Sequence, residues 1–223
     1  MAKKPNEVME PHNFRHACKE FDLEKRVSEE DMVTILEVAR LSPSSFGFEP
    51  WKFLVIEDVY LREKISSVSW GMQRQLSTLS YLIVILSRKT EGMIYSSKYI
   101  RYIMEEIQKI PEDMINKGLD RYKNFQEYDF NLLDNERAMF DWTSKQSYIP
   151  LANMMTTAAS MGIDSCPIEG FNREKLECLL DKEGILDIED FGVSVMVAFG
   201  YRSEDPKRLK KRRPFNEVVE WIR

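Results

Sequence analysis

The spacing of hydrophobic and polar residues predicts that long helices form much of this chain. Apolar positions recur at helical spacing through residues 28–41, where Ser28 begins a capping-box pattern and the turn at Pro43 ends the helix. Residues 95–109 show a similar amphipathic pattern, which Pro111 ends. Both stretches are typical of helices that bury one face.

The longest predicted helix covers residues 136–161. Its final part, residues 151–161, carries little charge on any face, which predicts burial on all sides. Pro150 removes one hydrogen bond of the helical ladder, so we expect a kink or a break there. Gly162 supplies the residue that ends the helix.

Three short apolar stretches, residues 51–58, 81–87 and 191–201, predict strands. One further helix begins after Asn172, and residues 215–223 predict a closing helix. Strands scattered among long helices predict an α+β fold with one central mixed or antiparallel sheet flanked by helices. The regular alternation of strand and helix and the GxGxxG motif of dinucleotide-binding folds do not occur in the sequence.

Composition narrows the class of protein. A chain of 223 residues with 43% apolar residues can form a single domain, 1–223, with a sizeable core. The net charge of −5 argues against a surface built to neutralise nucleic acid. Three cysteines without a CxxC and only two histidines give no familiar zinc set. No apolar run reaches the length of a membrane span, so we expect a cytoplasmic protein that does not enter a membrane.

One segment, residues 111–134, has no clear periodicity. It is polar and aromatic and contains Gly118. A segment of this kind inside a globular domain is often a lid, so we expect residues 111–134 to form an excursion that contacts substrate.

Two basic stretches are candidates for holding an anion. In residues 14–22, Arg15 and Lys19 are four apart and would share one face of a helix. In residues 207–213, six of seven positions are basic. Such runs can be solvated faces, nucleic-acid patches or phosphate sites, and the acidic chain favours a local phosphate over a polyanion.

Two stiff turns are candidates for holding a polar ligand through backbone amides. Residues 42–51 combine two prolines, several serines and a glycine between a predicted helix and a strand. Residues 166–171 predict a loop in which Pro167 and Gly170 set the backbone, and the amides of Glu169 and Gly170 can donate to an electron-rich atom. Either turn can also be a plain connector. Because no catalytic triad, phosphate-binding loop or metal cluster is visible, any chemistry would come from a bound cofactor.

The order of these four stretches resembles that of the FMN-dependent, oxygen-insensitive nitroreductase family, over nearly the whole chain. The resemblance rests on residues 15–22, on Pro43 to Trp51, on residues 142–171 and on the pair Lys211 and Arg213. It implies FMN contacts at Arg15, His16, Ala17, Lys19, Pro43, Ser44, Ser45, Gln73, Gln75, Pro167, Ile168, Glu169, Gly170, Lys211 and Arg213. Ala17, Gly47 and Glu49 depart from the residues usual in the family.

The resemblance also implies an activity. NADH or NADPH would reduce the FMN in a ping-pong mechanism, and a small oxidant such as a nitroaromatic or a quinone would then take two electrons. The resemblance names no catalytic side chain. It implies that the amides of Glu169 and Gly170 face the reactive nitrogen of the flavin.

Members of this family form interlocked homodimers with FMN at the interface. By resemblance, residues 151–161 would belong to a dimer helix, and Pro43, Ser44 and Ser45 would reach the flavin of the other subunit. Two alternatives stay open at this point. One is a nucleic-acid-binding module that uses residues 207–213, and the other is a flavin-binding sensor or storage protein with little turnover.

Overall fold

The computed structural model describes residues 4–223 as an α+β fold. The helices are α1 (Pro5–Phe14), α2 (Glu29–Arg40), α3 (Val59–Ser67), α4 (Thr90–Met93), α5 (Lys98–Tyr102), α6 (Glu112–Asn124), α7 (Glu136–Ser160) and α8 (Arg173–Lys182). The strands are β1 (Trp51–Ile56), β2 (Tyr81–Arg88), β3 (Asp164–Ile168) and β4 (Phe191–Gly200). Two π-helical turns, Ile103–Ile107 and Phe125–Asp129, follow α5 and α6. The α+β class predicted from the sequence is confirmed.

The sheet has the order β1-β2-β4-β3, and every neighbouring pair is antiparallel. The two central strands are almost entirely buried, which explains their unbroken apolar sequences. Strand β3 was not expected, because residues 166–171 were predicted to be a loop. Pro167 lies inside this strand, and it is tolerated because β3 is at the end of the sheet order.

Helices cover both faces of the sheet. On one face, Ile35 and Ala39 of α2 pack with Met154 and Ala158 of α7 against alternate residues of β2 and β4. On the other face, side chains of α3 and α8 pack against the intervening residues of the same strands. The predicted helix over residues 28–41 is therefore confirmed, and Ser28 caps it by accepting a hydrogen bond from the amide of Asp31.

Helix α7 runs without a break through Pro150, so of the predicted kink or break the break does not occur. Its last turns are not buried on all sides in the single chain, because Ala152 and Ser160 are exposed while Met154 and Ala158 are in the core. The expectation of complete burial for residues 151–161 was wrong for one chain.

The closing helix predicted over residues 215–223 is also wrong. Only a short 3₁₀ turn, Phe215–Glu217, forms there, and the surrounding tail is exposed. A helix this short needs a packed apolar face to be stable in water, and this tail packs on nothing within its own chain in the described residues 4–223.

Residues 111–134 are folded rather than irregular. They form α6 and the π turn, and Ile115, Tyr122 and Leu132 are buried in a third cluster with Met139 of α7. No helix in the part of the chain that the structure describes is long and apolar enough to cross a membrane.

Candidate functional site

A cavity of about 450 Å³ lies beside the edge strand β3. Its lining residues are Met9, His12, Asn13, Arg15, His16, Ala17, Met155, Ser165, Pro167, Lys210 and Arg212. Helix α1 ends at Phe14, and Arg15 is extended, so Arg15 and Lys19 do not share a helix face as expected. Instead, Ala17 pairs with Ser165 as a parallel bridge, which brings the predicted residues Arg15 to Ala17 against Pro167.

The basic tail reaches this cavity through Lys210 and Arg212. The tail forms neither helix nor strand here, and Lys210 and Arg212, which are two residues apart, both lie on the side that faces the cavity. Lys211 and Arg213, predicted from the sequence, are exposed and do not line the cavity. Burial first, and then the charges of Arg212 and Arg15, lower the pKa of Lys210. Three cations therefore converge on one space.

The chemistry of this lining fits an anion. None of the lining residues is acidic in the described part of the chain, whereas Arg15, Lys210 and Arg212 are cationic. The amine of Lys210 also donates to the backbone carbonyl of His12, which holds the tail against the end of α1. Such a set of donors is suited to the oxygens of a phosphate group.

His16 stands between this cavity and a buried carboxylate. Asp164 is 2% exposed and accepts hydrogen bonds from Arg202 at 3.0–3.1 Å. The Nδ1 atom of His16 is 3.4 Å from Oδ1 of Asp164, but the two groups are not oriented for a hydrogen bond. Nδ1 is therefore buried without a hydrogen-bond partner in residues 4–223. Burial lowers the pKa of His16, as do the charges of Arg202 and Lys210, while Asp164 opposes them. The imidazole is therefore biased toward its neutral form.

A second group of predicted residues meets at the thiol of Cys166. The amine of Lys19 and the side-chain amide of Gln75 each lie 3.4 Å from Cys166 Sγ. Gln73 is not brought to this place, since its amide donates to two backbone carbonyl groups at 2.8 and 3.2 Å. The structure thus separates the two glutamines and brings only Gln75 beside Lys19.

The loop after β3 is fixed by a close backbone contact. The amide of Gly71 donates to the carbonyl of Gly170 at 2.7 Å, and the indole of Trp70, which is 79% exposed, lies beside the same glycine. Ile168 is buried in the core. Within residues 4–223 the backbone amides of Glu169 and Gly170 donate to no protein group. Glu169 is exposed, whereas Gly170 is buried against Gly71 and Trp70.

The carboxylate of Glu169 is engaged from the opposite side. The hydroxyl of Tyr148 on α7 donates to Glu169 Oε1. Burial, and then this contact with Glu169, raise the pKa of Tyr148. Both residues line a second, larger cavity of about 690 Å³, which also reaches Phe171 and Arg173. No motif in the sequence pointed to Tyr148 as a partner of Glu169.

The turn at residues 43–50 is held separately from the cavity beside β3. Ser44 Oγ accepts from the amide of Glu49 at 2.8 Å, and the amide of Ser45 donates to the side chain of Gln146 on α7 at 2.9 Å. None of Pro43, Ser44 and Ser45 lines that cavity. A single chain therefore does not unite this predicted part of the site with the rest.

Comparison with known proteins identifies the family of this chain. Residues 13–201 match the sequence model of the Nitroreductase family. A Staphylococcus haemolyticus protein provisionally named as an NAD(P)H nitroreductase is 51% identical over 222 residues, which cover 100% of both chains. Bacillus subtilis YfkO, provisionally named in the same way, is 46% identical with the same coverage. A nitroreductase-like protein solved in complex with FMN, from Exiguobacterium sibiricum, has a TM-score of 0.75 at 21% identity, covering 100% of this chain and 99% of its own. This chain belongs to the nitroreductase family.

Proposed function

We propose that this protein is an FMN-dependent oxidoreductase that takes electrons from NADH or NADPH and delivers them to a small two-electron acceptor, such as a nitroaromatic or a quinone. The names of the full-length relatives support the nicotinamide donor, and the FMN complex of a structural neighbour supports the cofactor.

The observation that carries this proposal is the cluster of cations beside β3. Arg15, Lys210 and Arg212 line one cavity that has no acidic lining residue in the described chain. The guanidinium groups can bind phosphate oxygens in pairs, and the lysine adds a point charge. We therefore assign the phosphate of FMN to these residues.

The loop after β3 would hold the reactive part of the cofactor. FMN, when bound, supplies the redox chemistry, since it accepts hydride from the nicotinamide and returns two electrons to the acceptor. The free amides of Glu169 and Gly170 would donate to it, and the contact between Gly170 and Gly71 keeps these donors in place. Lys19 and Gln75, which meet at Cys166, would donate to the polar edge of the ring. Solvent can supply the protons, so no side chain of this chain is assigned as an acid or base.

We further propose that the working protein is a homodimer. Met155 lines the phosphate cavity from α7, and the neighbouring Ala152 leaves an uncharged face of the helix exposed. Trp221 and Ile222 in the tail are also exposed, the latter by 87%. Burying these apolar groups against a second copy would be favourable. It would also let Ser44 and Ser45 of one subunit complete the site of the other.

The test is made on the purified full-length protein. We expect a yellow dimer with stoichiometric FMN that is bleached anaerobically by NADH or NADPH and restored by a quinone. A colourless protein that cannot be reconstituted with FMN would contradict the proposal. A yellow protein that neither nicotinamide bleaches would instead be a flavin-binding sensor or storage protein.

A further inference from the structure

One side-chain amide fastens the turn at residues 43–50 to the helical segment that follows β2. The Nε2 atom of Gln108 donates to the carbonyl of Phe46 at 2.8 Å and to that of Gly47 at 3.1 Å. The fit is close, because a Cβ atom added to Gly47 would lie 2.8 Å from the same nitrogen. Both hydrogen atoms of the amide can therefore be used on this turn.

The turn needs such support, because its backbone is strained. Phe46 and Glu49 have φ angles of 58° and 46°, and Gly47 lies between them at 66°. Residues other than glycine rarely adopt these left-handed angles and keep them only where surrounding contacts impose them. Strain of this kind is concentrated at ligand-binding and switch regions.

Gln108 is itself held by unusual backbone. The backbone N–H of Gln108 donates to the carbonyl of Ile103 at 2.8 Å, and this hydrogen bond closes the π turn Ile103–Ile107. Lys109, the next residue, has a φ of 53°. π turns are frequent at functional sites. The segment that carries Gln108, and so holds the turn at residues 43–50, therefore contains a backbone feature typical of such sites.

The ring of Phe46 ties the same turn to residues 111–134. It lies 5.0 Å from the ring of Tyr122 and 5.0 Å from that of Phe125, both in edge or tilted geometry. Such contacts are favourable between aromatic rings. The hydroxyl of Tyr99 on α5 also lies 2.9 Å from the carbonyl oxygens of Phe48 and Glu49. The turn is therefore attached to the helical segment by polar contacts through Gln108 and Tyr99 and by aromatic contacts through its phenylalanine rings.

We infer that Gln108 is a positioning residue that couples the turn at residues 43–50 to the segment 98–134 beside the proposed flavin site. The inference rests on the proposed function, in which Ser44 and Ser45 complete the site of the other subunit. Losing the amide would loosen the turn at Phe46 and Gly47, while Tyr99 still holds Phe48 and Glu49 and the phosphate cavity and the loop at Gly170 stay intact. Binding of the acceptor at the completed site should therefore suffer more than binding of FMN.

The experiment compares Gln108→Met with Gln126→Met in the FMN-loaded protein. Gln126 is a matched control on the same segment, because its buried amide also makes two hydrogen bonds, with Met93 O at 2.7 Å and with the amide of Tyr95 at 2.9 Å. Gln126→Met should lower thermal stability while leaving the hydrogen bonds of Gln108 to the turn in place. Gln108→Glu, which keeps the shape but replaces the donor with an acceptor, should behave like Gln108→Met.

Two measurements decide the outcome. Hydrogen exchange at the amides of residues 46–48 should be about tenfold faster in Gln108→Met than in the parent or the control. The KM for a quinone acceptor should rise about fivefold, while the Kd for FMN stays within about twofold of the parent value, because the turn does not line the phosphate cavity.

Unchanged exchange at residues 46–48 would overturn the inference, as would faster exchange with an acceptor KM equal to that of the control. A parent protein that binds no FMN would instead overturn the proposed function. The exchange result would then still decide whether Gln108 holds the turn.

Discussion

Gly170 lies against Gly71 so closely that neither residue has room for a side chain. A Cβ atom added to Gly170 would be 2.7 Å from the Cα atom of Gly71, and one added to Gly71 would be 2.9 Å from that of Gly170. Gly170 does not have a left-handed φ, so it is needed for space rather than for conformational freedom. The glycine pair thus sets how closely the loop after β3 approaches the segment that carries Trp70.

We expect Gly170→Val to destabilise the protein and release flavin. Because the obstacle is backbone rather than a flexible side chain, the loop itself must move, and overpacking of this kind costs about 1–3 kcal/mol of unfolding free energy. In a chain of this size that corresponds to a fall in Tm of roughly 2–12 °C. Thermal unfolding and flavin retention measure both effects. Full flavin occupancy with parental Tm would show that the contact is not required.

The periodic elements of the fold could be predicted from the sequence, whereas elements set by packing could not. Helix α2 and strands β1, β2 and β4 carry strong local patterns, and they form where expected. Strand β3 contains Pro167, which opposes a strand locally, and its pairing with β4 decides the outcome. The helical pattern of residues 215–223 finds no partner surface in the described chain, and it does not form a helix.

In the candidate site, too, some features could be predicted from the sequence and others depend on the three-dimensional packing. Arg15, His16, Ala17 and Pro167 meet at one cavity because the segment after α1 pairs with β3. In the tail, however, a run of basic residues does not specify which side faces inward. Only the three-dimensional course of the tail favours Lys210 and Arg212 over their neighbours.

This choice can be tested with neighbouring residues. Arg212→Ala should weaken FMN binding by about 1.5–3 kcal/mol, since a charge-assisted hydrogen bond to phosphate is lost. Arg213→Ala should change it by less than about 1 kcal/mol, because this side chain does not line the cavity, although both arginines are exposed. Titration of the apoprotein with FMN gives both values. In the same way, Lys210→Ala should weaken FMN binding more than Lys211→Ala. If Lys211→Ala and Arg213→Ala had the larger effects instead, the tail would be shifted by one residue.

The lowered pKa of His16 predicts that the free energy of unfolding depends on pH. Burial lowers its pKa below the ordinary value of 6.5, so the unfolded chain takes up the proton first as the pH falls. Stability of the apoprotein should therefore decrease as the pH drops through about 6.5. His16→Gln should remove this part of the slope, as measured by urea unfolding between about pH 5 and 7.5. An unchanged slope would exclude His16 as its source.

An anion in the cavity should act on the same group. Negative charge near the imidazole favours protonation, so inorganic phosphate or FMN should raise the pKa of His16. The chain has only two histidines, so His12→Gln leaves one imidazole to follow by NMR titration. A pKa that does not respond to phosphate would place the anion away from His16.

Replacing Glu169 should separate the role of its backbone from that of its side chain. Its carboxylate already accepts a hydrogen bond from Tyr148, whereas its amide is free within residues 4–223. Gln at this position keeps an oxygen that can accept from Tyr148 and leaves the backbone unchanged. We therefore expect bound FMN in Glu169→Gln to be reduced at a rate within about tenfold of the parent, since the proposed function assigns the donor role to the backbone amide.

Stopped-flow bleaching by NADH or NADPH measures this rate, after flavin occupancy has been checked for each variant. Tyr148→Phe serves as a second variant, because it removes the donor to Glu169 without changing the loop backbone. If the side chains only anchor the loop, both variants should lose little rate and show the same dependence on pH as the parent. If Glu169→Gln were inactive with full flavin occupancy, the carboxylate itself would take part in hydride transfer. The loop would then act through an ionisable group, and the role of its amides as the fixed donors would be wrong.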